Sequence, residues 1–227
     1  MHPRLPPSRS CLPALLALLA LLACAPAIAS EPPRYAFDPV HTRVMFAIDH
    51  AGFSKAIGTI SGSQGSLYFD PEDWASARLD VVVPMDRLDL GDSGWSASVF
   101  APRFLDVKRH PQARFVATEG LQRQAGNRGR ACGQLTLRGV TRPLCLDIVM
   151  NKAGRYPLPP FRRTLGFSAT ASLKRSDFGM TNWQSLVGDD IELRIEAELF
   201  RSGSTGEDAP LVPPDPASTD PAIPTDD

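Results

Sequence analysis

From Val44 to Leu199 apolar and polar residues alternate with a period of two, the spacing of strands with one dry face and one wet face. Val44, Phe46 and Ile48 oppose Arg43, Met45 and Ala47; Leu67 and Phe69 oppose Ser66 and Tyr68; Leu79, Val81 and Val83 oppose Arg78 and Asp80. Further on, Leu165, Phe167, Ala169, Ala171 and Leu173 face away from Ser168, Thr170, Ser172 and Lys174. Ile191, Leu193, Ile195, Ala197 and Leu199 face away from Glu192, Arg194, Glu196 and Glu198. A strand with one charged face borders water on that face, so the pattern predicts an antiparallel sheet around a single interior. Clusters such as Gly62-Ser63-Gln64-Gly65 and Asp70-Pro71-Glu72-Asp73 read as the turns between strands. Closing the sheet removes its edges, and about eight strands leave room for side chains or one small ligand. The expected fold is all-β, an eight-stranded antiparallel barrel.

Two segments refine this picture. Cys132–Met150 reads as a hairpin: Leu135 and Leu137 precede a bend at Gly139, and Leu144, Leu146 and Ile148 follow it, with Pro143 at a strand start and Thr141 able to hydrogen-bond locally. Trp95–Leu105 breaks the alternation. Trp95 and Val99 are four apart, as on a helix face, Asp92 or Ser93 is placed to cap its start, and Pro102 would end it. A short helix over one end of the barrel is expected.

The two termini differ from the middle. Arg4 and Arg9 precede an apolar run, Leu12 to Ala23, that is shorter than the roughly 20 residues of a membrane-spanning helix, so residues 1–29 read as a signal segment. Two cleavage sites compete: Leu21-Leu22-Ala23-Cys24 reads as a lipobox with Cys24 as the acylated residue, and Ala27-Ile28-Ala29 before Ser30 fits an ordinary signal peptidase. The expected location is the periplasm, with an outer-membrane lipid anchor if Cys24 is acylated, and that anchor is the only membrane contact expected. Residues 201–227 are rich in Pro, Asp, Ser and Thr and read as a disordered acidic tail, leaving residues 30–200 as one domain. Of 24 basic residues, Arg4 and Arg9 go with the leader, so 22 remain against 25 acidic ones, a net charge of −3. With no basic stripe, nucleic acid is not expected as a partner. Cys132 and Cys145 remain in the exported domain, on the same outward face of adjacent strands, and read as a disulfide, with the strand register left to decide whether they reach each other.

Several short motifs, taken together and in order, resemble the YceI-like family. Leu135-Thr136 with Gly139-Val140-Thr141 and Pro143 matches its LT-x-x-GVT-x-P signature. Other matches are Phe37-Asp38-Pro39-Val40-His41-Thr42, Phe46, Phe104-Leu105-Asp106 before His110-Pro111, Phe115, and Arg175-Ser176-Asp177-Phe178-Gly179. The resemblance runs from about Tyr35 to Phe200. It implies a lipocalin-like barrel holding a long apolar ligand, polyisoprenoid or quinone-like, and hence a binder without catalytic residues and without a cofactor. The chain departs from the pattern at WSASVFAPR, residues 95–103, where relatives usually carry a charged run.

Whether the barrel is filled or hollow turns on the small inward residues Gly58, Gly133, Ala113, Ala117, Ala169, Ala171 and Ala197. Either large residues opposite fill the gaps, giving a structural or adaptor protein of the envelope, or the gaps form a pocket. The resemblance favours the pocket. Parity then gives the expected wall: Phe37, Val44, Phe46, Ile48, Leu67, Phe69, Val81, Phe115, Leu135, Leu137, Phe167, Ala169, Leu193 and Ile195. Arg175 is a further candidate, either paired with Asp177 in a structural role or meeting a polar ligand head. Gly91-Asp92-Ser93-Gly94 resembles a protease nucleophile turn, but Trp95 stands where the second glycine is needed and His50 lacks the matching context. His41, His50 and His110 have no ligand spacing, so no metal centre is expected.

Overall fold

The computed structural model describes residues 31–203, and the leader, Cys24 and the tail beyond Gly203 lie outside them. The strands are β1 (Arg34–Phe37), β2 (Arg43–His50), β3 (Ser54–Ile60), β4 (Gln64–Asp70), β5 (Asp73–Pro84), β6 (Leu88–Asp89) and β7 (Gln112–Ala117). They continue with β8 (Gln122–Arg123), β9 (Arg128–Leu137), β10 (Val140–Arg155), β11 (Arg163–Lys174) and β12 (Val187–Arg201). One helix, α1 (Ser93–Phe100), joins β6 to β7. Arg201, expected to open the tail, instead ends β12 opposite Tyr35.

These pieces build eight walls, because three walls are long strands broken by a kink. Both β1 and β2 run antiparallel along the same side of β12, at Leu199–Arg201 and at Val187–Glu196 respectively. On their other side β4 pairs with β1 and β3 with β2, and beyond these β5 pairs with β4 and β6 with β3. The circuit continues through β7, β9, β10 and β11 back to β12, every pairing antiparallel. The barrel closes on eight strands.

Gly62-Ser63-Gln64-Gly65 is therefore a kink within a continuing wall and not a chain reversal. Gly62 has φ +78°, and at Gly65 (φ +150°) an added Cβ would lie 2.1 Å from the Asp80 carbonyl oxygen, so only glycine permits this close approach. Asp70-Pro71-Glu72-Asp73 is a true turn, with Asp70 opposite Asp73.

The β9–β10 hairpin turns through Arg138 (φ 51°) and Gly139 (φ 75°), the two left-handed residues of a tight turn whose twist suits the strands. Thr136 and Thr141 share a hydroxyl hydrogen bond of 2.8 Å across it. Pro143 sits inside β10 opposite Gln134, not at its start; β11 pairs with β10 only from Asp147 on, so the missing N–H breaks no second ladder. Cys132 lies opposite Cys145 and the two form a disulfide. Helix α1 is capped by Asp92, whose carboxylate accepts from the Trp95 N–H at 2.8 Å, and it stops before Pro102.

Candidate functional site

The walls enclose a cavity of about 530 Å³. It is hollow because several inward positions are too small to meet across the interior: Ala113, Ala131, Ala169 and Ala197 all border it. Not every small residue serves this purpose. Gly58 makes room for the Phe46 ring, which an added Cβ would meet at 2.5 Å, and Gly133 lets β9 approach the Val116 carbonyl, 2.2 Å from where a Cβ would stand. Ala117 and Ala171 pack into the core away from the cavity surface.

The expected wall is largely the observed one. Phe37 of β1, Val44, Phe46 and Ile48 of β2, Leu67 of β4 and Val81 of β5 line the cavity. So do Phe115 of β7, Leu135 and Leu137 of β9, Phe167 and Ala169 of β11, and Leu193 and Ile195 of β12. Phe69 is the exception. It is fully buried and stacked edge-on between Trp74 and Phe167, each ring 5.5 Å away, so it belongs to the plug beneath the cavity. Parity assigned the correct face, but Phe69 lies toward the β4–β5 turn, past the hollow part of the barrel. Tyr35, Leu165 and Trp74 complete this closed end.

Arg175 borders the cavity near the other end, 2% exposed. Its Nε donates to the Gly188 carbonyl at 2.7 Å, Nη2 to that of Val187 at 2.9 Å, and Nη1 to that of Met180. The expected Arg175–Asp177 pair does not form; the nearby carboxylate is Asp189, which accepts from the Ser176 N–H and hydroxyl at 2.9 and 2.8 Å. Burial pushes the guanidinium pKa down and Asp189 opposes the shift. The side chain is a clamp that ties the start of β12 to the loop after β11, since a planar fork reaches three carbonyls at once.

The open end is rimmed by Trp95 and Phe104, by Asp49 and His50 at the end of β2, and by Trp183 and Leu186 ahead of β12. The His50 and Trp95 rings meet edge to face at 5.7 Å. Arg138 stitches the surrounding loops, donating to the carbonyls of Pro102 at 2.9 Å and Gly179 at 3.1 Å. Strand parity has no hold on these loop residues, so Trp183, Leu186 and Arg138 escape sequence reading; the only hint is two large apolar residues in the otherwise polar Thr181–Leu186.

At the β1–β2 kink, on the outside, donor atoms of Asp38, His41 and Glu198 lie within 4.8 Å of one another, an arrangement hidden from residue spacing because Glu198 comes from β12. Asp38 is already engaged: Oδ1 accepts from the Val40 and His41 N–H groups at 2.8 and 3.1 Å, and Oδ2 meets His41 Nδ1 at 2.8 Å. Burial raises the Asp38 pKa, but the hydrogen bonds from His41 and Val40 outweigh it and the net shift is downward. The bond to Asp38 raises the pKa of His41. These contacts fold the kink, and the cluster reads as a latch.

Comparison with known proteins agrees with this architecture. The model of the YceI-like domain matches residues 35–199. A UPF0312 protein of Pectobacterium atrosepticum is 31% identical over 189 residues, covering 82% of this chain and 96% of that protein. Among solved structures, BcnA of Burkholderia cenocepacia superposes with a TM-score of 0.62 at 22% identity, over 69% of this chain and 95% of that one. A structure described as a polyisoprenoid binding domain from Saccharophagus degradans superposes with a TM-score of 0.54 at 10% identity, over 74% of this chain and 98% of that one. With the motifs, the kinked eight-walled barrel and the domain match in agreement, the chain belongs to the YceI-like family.

Proposed function

We propose that the barrel binds and carries one long apolar lipid, of polyisoprenoid or quinone-like type, in the periplasm. The observation that carries this reading is a cavity of about 530 Å³ walled almost wholly by aliphatic and aromatic side chains, open at one end and plugged at the other. Its size falls in the range of small-molecule sites. Each buried methylene of a guest contributes about 0.8 kcal/mol, so the cavity favours long chains over short ones. The Saccharophagus degradans domain, described as polyisoprenoid-binding, supports the same class of guest. The apolar leader supports export, and Cys24 offers an acyl anchor that would hold the barrel at a membrane.

Mass spectrometry of an organic extract of the purified protein tests this. The expected result is one apolar lipid in near-equimolar amount, or uptake of a polyisoprenoid added to delipidated protein. A barrel that yields no lipid and takes up no polyisoprenoid refutes the proposal.

A further inference from the structure

The cavity opens among apolar side chains that folding leaves in water. Phe53, at the tip of the β2–β3 hairpin, is 93% exposed, Trp183 54%, Leu186 43% and Trp95 40%. Trp95, Trp183 and Leu186 border the opening itself. Phe53 belongs to the same rim, because its hairpin is tied to the neighbouring loop by the Ala51 N–H donating to the Leu186 carbonyl at 2.6 Å. Trp183 holds a left-handed backbone (φ 60°), a conformation unfavourable for a bulky residue. Only its carbonyl is used in the turn, accepting from the Leu186 and Val187 N–H groups, and any residue would supply that.

Charge is distributed to match. The chain has 24 basic and 25 acidic residues, yet residues 50–54, 93–102 and 178–188 contain no Asp, Glu, Lys or Arg. These three segments supply the apolar rim residues, while Asp49 and Arg103, which also border the cavity, flank them with charge that can stay at the level of the headgroups. The barrel wall differs, with Glu192 and Arg194 facing outward, and no described helix is long and apolar enough to cross a membrane. Leu158 and Phe161, 63% and 50% exposed, lie in the connection between β10 and β11 and do not border the cavity.

We propose that this rim docks on the surface of a phospholipid bilayer, seating Phe53, Trp95, Trp183 and Leu186 at the headgroup level. Tryptophan is suited to that layer, with an apolar ring and a polar N–H. With the rim seated there, the opening faces the phase in which an apolar chain resides. The docking draws its purpose from the carrier reading, while its evidence is the rim alone.

The test uses the full chain carrying Cys24→Ser, so that no acyl anchor contributes, mixed with phosphatidylethanolamine–phosphatidylglycerol vesicles whose acyl chains are brominated. The chain has three tryptophans, and Trp74, 2% exposed in the plug at the opposite end, serves as an internal control. The expected result is quenching of Trp95 and Trp183 emission with Trp74 spared. Phe53→Ser combined with Trp183→Ser should weaken vesicle partitioning at least about tenfold with an unchanged melting temperature. Absence of partitioning, partitioning indifferent to the substitutions, or a concentration-dependent dimer in lipid-free solution that the substitutions abolish would each overturn the docking; the last would place a second copy on the rim. Loading of a polyisoprenoid from cyclodextrin, measured in parallel, probes the cavity without a bilayer. Protein that loads but ignores vesicles refutes the docking and leaves the carrier standing, and protein that docks but does not load supports the docking and refutes the carrier.

Discussion

Arg175 places a cation almost out of reach of water among three backbone carbonyls, and its replacement measures what that arrangement contributes. Lysine keeps the charge but donates from a single point and cannot span the carbonyls of Met180, Val187 and Gly188. Arg175→Lys should therefore lower unfolding stability by about 2–3 kcal/mol, read from denaturant titration. Little or no change would mean that the clamp is redundant. The residue stands out in the sequence, but its partners do not: a carbonyl leaves no mark in the amino-acid order, whereas Asp177 two positions away suggested an ion pair that the structure lacks. His41 offers a second test at this scale. Its pKa is raised above 6.5, so its contribution is complete below that value and is lost as pH rises through the higher folded pKa. Asp38, lowered below 3.8, contributes above that value and stops as pH falls through its folded pKa. The latch is strongest in mildly acidic solution, between the two. Melting temperatures of wild type and His41→Gln should thus differ more at about pH 5.5 than at about pH 8; an equal gap at both would show that the imidazole's charge is irrelevant.

Cys132 and Cys145 join two strands that are already neighbours in the sheet, with a separation of 13 residues. Chain entropy sets a ceiling of about 3 kcal/mol for so short a loop, and the hairpin's own pairing brings the effect below it. Native protein should show no free thiol, and reduction should shift the unfolding midpoint by less than that ceiling. Two thiols titrating in the native, oxidised protein would contradict the bridge. Strand parity was enough to put both sulfurs on the outer face, and the two-residue turn at Arg138-Gly139 settles the register that parity leaves open. Kinks were less legible. Gly62 and Gly65 carry the same local signal whether a chain reverses or merely bends, and what distinguishes the cases is the exchange of partner from β2 to β1, a fact about distant strands.

At the scale of the molecule, the barrel follows from alternation because a period of two assigns every side chain to the interior or to water. That rule placed thirteen of the fourteen expected wall residues on the cavity and missed only Phe69. What it does not contain is depth along the barrel axis, which divides plug from wall, or the volume left between facing side chains. The loops at the mouth follow no period and stayed outside its reach. The proposed function needs the hollow to hold an apolar chain, and Ala169 lies on its wall between Ile148 and Ile195. Ala169→Phe places a ring in that space. Melting temperature and binding of a polyisoprenoid probe, measured on the same variant and on wild type, give the most direct test. If the hollow holds an apolar chain, wild type binds, and the variant stays folded with nearly the same melting temperature but no longer takes up the probe. A wild type that binds no apolar chain, with a variant destabilised by about 1–3 kcal/mol as an overpacked core would be, contradicts it.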